Sequence, residues 1–352
     1  MRMKLAKIAF TAAMMLATAL AISCSSDGGG GSNPIKKAKI TGVSQKGPFV
    51  KGSSATLYEL NEAFAQTGRS FRDIIADDYG KFEIKNVELA SPYAMLEADG
   101  FYRNEVTGQI SAAPIKLYAI ADIREKDNVN VNLLTHLEYY RVLNLVENSG
   151  KTVAEAKMQA QKEILAVFGI SGEFENSEDM SIFGTSEGDA ALLAISVLLQ
   201  GDLSEGEFLQ RLTDFAQSIR ESGVWNEEDR AKLLNGFSYG GINNAILSWE
   251  LSSEIPDYEK YVKNYITSFL GECTEEKWGL IKKLHNGTII GCYTVLERSE
   301  QWIYEWTKPN FYPENDCTET NEGRFENIPV PGEYNAYVRF KCIDGDWWNR
   351  VD

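Results

Sequence analysis

The sequence predicts a multidomain α+β protein with an N-terminal antiparallel β-sandwich, a central all-α helical domain and small disulfide-stapled β repeats at the C-terminus. Three observations predict this organisation. Short runs with partial apolar–polar alternation, separated by turn residues, fill residues 37–125, as in β-strands. From 126 to 271 the apolar residues recur with the period of helices. Four of the five cysteines fall within 272–352.

Composition limits the classes of function. A chain of 352 residues is long enough for two or three domains, and its 43% apolar residues are enough for ordinary cores. The net charge is −16. Since phosphate backbones are bound by basic surfaces, this charge argues against a nucleic-acid partner.

Residues 1–23 predict an export signal. A basic start, "MRMKLAK", precedes the apolar run "IAFTAAMMLATALAI", which has the length of a signal peptide rather than of a membrane span. The small residues of "ALAISCSS" lead directly to Cys24. This segment resembles the bacterial lipoprotein signal, in which the cysteine is lipidated and becomes the new N-terminus. The alternative is an ordinary secreted protein in which Cys24 has no such role.

The lipoprotein resemblance implies attachment to a membrane through Cys24. Residues 24–36 include "SSDGGGGS", a Gly/Ser run that predicts a flexible tether beside the anchor. Ser25 is compatible with sorting to the outer membrane, as the resemblance implies. We therefore expect an exported, lipid-anchored protein of the outer membrane.

The strand-rich region 37–125 contains motifs that carry a second resemblance. Its segments "GPFVKGSSATLYEL", "DDYGKFEIKNV" and "SPYAMLEADGFY" resemble the carboxypeptidase regulatory-like, transthyretin-type β-sandwich. The matching positions include Gly47, Gly52, Asp77 and Gly80. Such domains are structural modules without chemistry of their own, which is what the resemblance implies for this region.

Helix signals mark the central region. Thr152 and Glu155 have the spacing of a capping box, and Ser204 and Glu207 repeat that spacing. Glycines 169 and 223 follow the two predicted helices as stop signals. The segment "ALLAISVLL" is apolar nearly all round, which predicts a helix at the centre of a bundle.

The C-terminal region contains a repeat. "CTEEKWG" begins at Cys273 and "CTETNEG" begins at Cys317, and we take the copies as 272–312 and 316–352. Four cysteines allow three disulfide pairings, and zinc binding is a rival that the lack of a CxxC pair weakens. Because a module of about 40 residues builds a small core, a disulfide within each copy is the simplest pairing: Cys273–Cys292 and Cys317–Cys342.

The second copy, with its ending "KCIDGDWW", resembles short cysteine- and tryptophan-containing repeats at the C-termini of surface lipoproteins from cellulose-degrading gut anaerobes. This resemblance implies attachment to polysaccharide or to other components of the cell envelope. It predicts no cofactor.

Aromatic residues supply the candidate binding surface. In "QWIYEW" a strand would place the alternating aromatics on one face, and aromatic faces stack on the apolar faces of sugar rings. The alternative is that these side chains form the small core of the repeats. The candidate binding residues are Trp302, Tyr304, Trp306, Trp347 and Trp348.

No catalytic motif is found in the sequence, and no metal site or catalytic residue is predicted. The chain has two histidines, His136 in a predicted helix and His285 in a predicted turn. We expect a non-enzymatic binding or scaffolding role at the cell surface. The alternatives are an enzyme with a site in the helical region or at its junction with the sandwich, involving His136 or acidic residues, and a purely structural envelope lipoprotein.

Overall fold

The N-terminal strands form two sheets, with strand orders β4-β1-β7 and β3-β2-β5-β6. Neighbouring strands are antiparallel, except that β1 and β7 are parallel. The strands are β1 (Ile35–Gln45), β2 (Ser54–Leu60), β3 (Gln66–Ile74), β4 (Lys81–Leu89), β5 (Tyr93–Gly100), β6 (Ile115–Asp122) and β7 (Val131–Asn132). The computed structural model describes residues 34–234, 239–249, 254–284, 289–296, 302–307, 309–331 and 336–349.

The strand region extends beyond both predicted boundaries, 37 and 125. β1 begins at Ile35, inside the predicted tether, and β7 lies beyond residue 125. Strand β3 was not predicted. Most of its side chains are exposed on both faces of a sheet edge, so it lacks the alternation that burial of one face imposes on a sequence.

Seven helices follow among the described residues. The capping boxes at Thr152 and Ser204 are present as predicted. Each hydroxyl accepts a hydrogen bond from the backbone N–H of the glutamate at the third helical position, and the carboxylate of that glutamate accepts one from the backbone N–H of the capping residue. All but one of the α3 residues are buried, which places that helix at the centre. The helices are α1 (Leu133–Ser149), α2 (Val153–Val167), α3 (Glu187–Gln200), α4 (Glu205–Ser222), α5 (Glu227–Ala231), α6 (Tyr239–Leu247) and α7 (Glu259–Leu270).

The C-terminal repeats form a single six-stranded sheet of order β10-β9-β8-β13-β12-β11. Each copy supplies a three-stranded antiparallel meander, and the copies join where β8 pairs with β13, with Ile281 opposite Trp347. The expected pair of small separate modules is therefore one continuous sheet. Its strands are β8 (Leu280–Lys283), β9 (Ile289–Leu296), β10 (Trp302–Thr307), β11 (Phe325–Pro329), β12 (Tyr337–Ile343) and β13 (Asp346–Trp348).

One hydrophobic cluster, here called the main cluster, connects all three regions. It runs from Ile40 and Leu57 in the first sheets through Leu193 in α3 to Cys292 and Trp306 in the last sheet. Residues from Pro34 onward form one compact unit. The mixed α+β composition is as predicted, but the three expected domains share a core instead of having separate ones.

The predicted signal peptide and the lipidation residue Cys24 lie outside the described residues, as does the tether up to residue 33. Among the helices that are described, none is both long enough and apolar enough to cross a bilayer.

Candidate functional site

The four C-terminal cysteines lie at bonding distance in two pairs. The sulfurs of Cys273 and Cys292 are 2.08 Å apart, and those of Cys317 and Cys342 are 2.02 Å apart. Each pair lies within one copy of the repeat, which is the pairing that the repeat suggests. Disulfides of this kind are found in exported proteins, where the surroundings are oxidising.

The glycine that follows each Cys-Thr-Glu header has the same role in both copies. Gly279 has φ +86° and Gly323 has φ +74°, a left-handed conformation that favours glycine. The N–H of Gly279 donates to the carbonyl of Cys292, and the N–H of Gly323 donates to that of Cys342, both over 2.8 Å. The shared header therefore encodes a shared turn that closes each disulfide loop.

The surroundings of the two disulfides differ. Cys292 belongs to the main cluster and Cys273 packs against it. Cys342 belongs to a separate group, the C-terminal cluster, formed by Ile281, Phe340, Cys342 and Trp347. The disulfide of copy one is therefore packed onto the body of the protein, whereas that of copy two lies in a separate small cluster to which copy one contributes Ile281.

Two of the candidate binding residues are buried. Trp306 is 4% exposed and its indole N–H donates to the carbonyl of Gly271 over 2.9 Å. Trp347 is 7% exposed and donates to the carbonyl of Asn315 over 2.8 Å. A buried ring has no face to offer to a sugar. For these two residues the structure favours the alternative, a core of aromatic side chains.

The other three candidate binding residues are one half-buried tryptophan and two residues of β10. Trp348 is half-buried and packs against the main cluster. Trp302 and Tyr304 occupy alternate positions of β10, as predicted, but their side chains lie outside the described part of the chain.

Among the described side chains of the C-terminal sheet, exposed aromatics lie on β11 and β12. Phe325 is 45% exposed and Tyr337 is 58% exposed. The Arg339 guanidinium lies 3.9 Å from the centre of the Phe325 ring, and the Lys341 ammonium lies 5.4 Å from it. We call Phe325, Asn327, Tyr337, Arg339 and Lys341 the aromatic–cationic face.

Strand alternation places these side chains together. In β12, Phe340 and Cys342 point into the C-terminal cluster, so Tyr337, Arg339 and Lys341 point to the opposite side. Register sets Phe325 opposite Lys341. The sequence signal for this face is the alternation of "YVRFKC", which contains no tryptophan and lies outside the predicted set of binding residues.

The aromatic–cationic face combines two modes of sugar recognition. Exposed aromatic rings stack on apolar faces of sugar rings, and arginine and lysine form charge-assisted hydrogen bonds with carboxylates. Its five residues include two cations and no carboxylate, although the chain carries a net charge of −16. The face therefore presents the two kinds of group, an exposed ring and a cation, that such contacts use.

A cleft lies between β6 and the helices α1 and α4, and we call it the junction cleft. Its volume is about 480 Å³, within the roughly 300–1,000 Å³ of ligand sites. The rings of Tyr118 and His136 stack along it, with centroids 5.5 Å apart. Its lining residues are Pro114, Ile115, Lys116, Tyr118, His136, Tyr140, Leu209, Leu212, Thr213, Ala216, Gln217 and Arg220.

His136 is poorly suited to acid–base catalysis in this cleft. Burial lowers its pKa to about 4, so the imidazole is neutral near pH 7 and a weak base. Its Nδ1 is buried without a hydrogen-bond partner, so no carboxylate orients the ring as in a catalytic triad. The other histidine, His285, lies outside the described residues.

No known family, curated protein or solved structure matches this chain. The resemblances to a transthyretin-type sandwich, to lipoprotein signals and to cysteine–tryptophan repeats therefore stay predictions from their motifs.

Metal-binding side chains converge at one place among the described residues, formed by Cys317, Glu322 and Cys342. The two sulfurs there are bonded to each other, which leaves a single carboxylate. Asp77 accepts the N–H groups of Tyr79 and Lys81 and so closes a turn. None of these carboxylates has the surroundings of a metal ligand set.

The most deeply buried ionic group joins the strands to the helices. Lys46 and Glu105 form an ion pair with both side chains fully buried. The Ser196 hydroxyl, which has one proton to donate, lies within hydrogen-bond distance of both the Glu105 carboxylate and the carbonyl of Lys46. The Lys46 ammonium lies 4.8 Å from the centre of the Phe208 ring, and burial lowers the pKa of Lys46. This pair is enclosed, and we assign it a structural role.

Proposed function

We propose that the protein is a lipid-anchored surface protein that binds polysaccharide, without catalysis, through the aromatic–cationic face. The observation that carries the proposal is the exposure of Phe325 and Tyr337 beside Arg339 and Lys341. Exposed aromatics accompanied by arginine are typical of interaction surfaces.

The anchor and the binding face complement each other in this proposal. Lipid chains at Cys24 hold the protein at the outer membrane, and the Gly/Ser tether gives it reach. Two disulfides at the opposite end of the chain suit an oxidising compartment. In this arrangement the transthyretin-type sandwich and the helices are a scaffold that carries the C-terminal sheet.

The two alternatives have less support. An enzyme at the junction of strands and helices would rely on His136, whose lowered pKa and unpaired Nδ1 argue against proton transfer. A purely structural envelope lipoprotein has no need of exposed aromatic side chains paired with cations.

The test is a pull-down of the mature full-length chain with insoluble cellulose, cross-linked polygalacturonate and purified cell wall. We expect Tyr337→Ala to reduce the bound fraction by about two- to ten-fold, which is the change in affinity that corresponds to the free energy of one aromatic contact. Arg339→Met should reduce it further when the polymer is acidic, because a charge-assisted bond is lost.

A matched control exists on the opposite end of the described chain. Tyr79 is 40% exposed and has the Lys81 ammonium 5.2 Å from its ring centre, so it is an exposed tyrosine beside a cation, away from the C-terminal sheet. Tyr79→Ala should leave binding unchanged. Equal retention of Tyr337→Ala, Arg339→Met and wild-type protein on cellulose would refute the proposal, because binding would then not depend on the aromatic–cationic face. No retention of the wild-type protein on any of the polymers would favour the purely structural role.

A further inference from the structure

The junction cleft has the features of a second ligand site. Tyr118 and His136 stack along it and Tyr140, 37% exposed, stands at its rim. Apolar side chains from α4, among them Leu209 and Leu212, line another part of it. A cleft lined by aromatic rings in one part and by aliphatic side chains in another suits a ligand with a flat apolar face.

The polar lining supplies donors and positive charge. Twelve residues line the cleft and none is a carboxylate, while two of them, Lys116 and Arg220, are cations. Burial and the neighbouring Glu97 raise the pKa of Tyr118, so its hydroxyl keeps its proton near pH 7. The cleft therefore favours ligands rich in acceptor oxygens.

The two cations differ in whether a carboxylate of the protein already pairs with them. Lys116 lies 3.3 Å from Asp99 and 3.6 Å from Glu97, so protein carboxylates already neutralise it. The Arg220 guanidinium makes no hydrogen bond or ion pair with any residue of the described chain, and Gln217 lies one helical turn before it along α4. In a chain with 51 acidic and 35 basic residues, an arginine without a carboxylate partner in a cleft is notable.

We propose that the junction cleft binds a sugar acid, with the ring of a hexuronate residue against Tyr140 and Tyr118 and its carboxylate paired with Arg220. A pyranose ring presents a flat CH face to the aromatic wall, and its hydroxyls accept from Gln217 and Tyr118. The guanidinium pairs with a carboxylate by two parallel hydrogen bonds. The inference extends the proposed polysaccharide-binding role to a separate site.

Isothermal titration of the mature full-length chain with tri-galacturonic acid tests this inference, and its methyl ester serves as the uncharged analogue. We expect the acid to bind and the ester to bind at least about ten-fold more weakly, since a hydrogen bond to a charged group is lost. Arg220→Met should raise Kd for the acid about ten-fold. Arg220→Lys should recover part of that loss, because the charge remains without the planar fork.

Two control arginines separate the sites. Arg72 is exposed on β3 and does not line the cleft, and Arg339 belongs to the aromatic–cationic face. Arg72→Met should keep Kd for the acid within two-fold of wild type. Arg339→Met changes the aromatic–cationic face alone, so its titration should keep the binding site that Arg220→Met loses. Arg220 is exposed on α4, and equal melting temperatures of all variants would show that each is folded.

Three results would overturn the inference. The first is wild-type affinity in Arg220→Met, and the second is equal affinity for acid and ester. The third is loss of binding in Arg339→Met with retention in Arg220→Met, which would place the sugar acid on the aromatic–cationic face and thereby support the proposed function. The cellulose pull-down with Tyr337→Ala tests the proposed function separately, because cellulose carries no carboxylate for Arg220.

Discussion

The two copies of the Cys-Thr-Glu repeat share a turn and a disulfide, yet their positions in the molecule differ. Copy one packs its disulfide against the main cluster and its Trp306 reaches the end of α7. Copy two gathers its disulfide into the C-terminal cluster and leaves Phe325 and Tyr337 exposed. A repeated header thus specifies a local loop, while the apolar residues around it decide whether the copy docks or presents a surface.

The largest effect should come from the tryptophan of copy one. Trp306→Ala removes a buried ring from the main cluster and should cost about 3–5 kcal/mol of the free energy of unfolding. Calorimetry should show a lower main transition. Trp347→Ala removes a ring of the C-terminal cluster, so it should lower protection from hydrogen exchange in β12 while the main transition moves less. Equal shifts of the main transition in both variants would contradict the difference between the copies.

Removal of one disulfide at a time should sharpen the comparison. The closed loops span 19 and 25 residues, so both bonds restrict the unfolded chain similarly, by about 3 kcal/mol. We expect Cys317→Ala with Cys342→Ala to loosen β11 and β12 alone. Cys273→Ala with Cys292→Ala should also expose the contact with α7. Hydrogen exchange followed by mass spectrometry distinguishes these outcomes, and a uniform loss in both double variants would argue against separate clusters.

A smaller effect is expected at the shared turn. Gly323 has φ +74° and a Cβ added there would meet no atom within 4 Å, so Gly323→Ala carries a conformational cost alone. That cost should be about 1–2 kcal/mol. Denaturant unfolding followed by fluorescence of the C-terminal tryptophans measures it, with Gly206→Ala on α4 as the control, since that site is also open but helical. A stabilised Gly323→Ala variant would show that the turn is not required.

The smallest effect should be found where the copies join. Lys282 of β8 pairs with Asp346 of β13, and both side chains are partly exposed. Such pairs contribute about 0–1 kcal/mol. A double-mutant cycle with Lys282→Met and Asp346→Asn should therefore give a coupling below about 1 kcal/mol. A larger coupling would mean that charge, more than the Ile281–Trp347 pairing, holds the copies together.

Local signals in the sequence predicted local structure well. The capping boxes at Thr152 and Ser204, the burial of α3 and the strand alternation at β10 depend on residues within a few positions of one another. They require no knowledge of tertiary contacts, and all are found in the structure.

The relations between distant segments could not be predicted in this way. The β8–β13 pairing joins residues more than 60 positions apart, and β3 has no buried face that would impose alternation on its sequence. The role proposed for Arg220 could not be predicted, because a cleft between a strand and two helices produces no periodic signal in the sequence. The burial of Trp306 depends on the carbonyl of Gly271 in another element.

The enclosed pair at Lys46 bears on the order in which the chain can finish folding. Lys46 ends the region of β1, Glu105 follows β5, and Ser196 bonds to the carbonyl of Lys46 from 150 positions away. Contacts of such separation form late, because a long stretch of chain must first be ordered. Until α3 and α4 are in place, the lysine lacks the Ser196 and Phe208 side chains that enclose it. A fragment that stops at residue 125 therefore exposes a surface that the intact chain buries, and a nascent chain that has delivered only its strands depends on protection from aggregation until the helices follow.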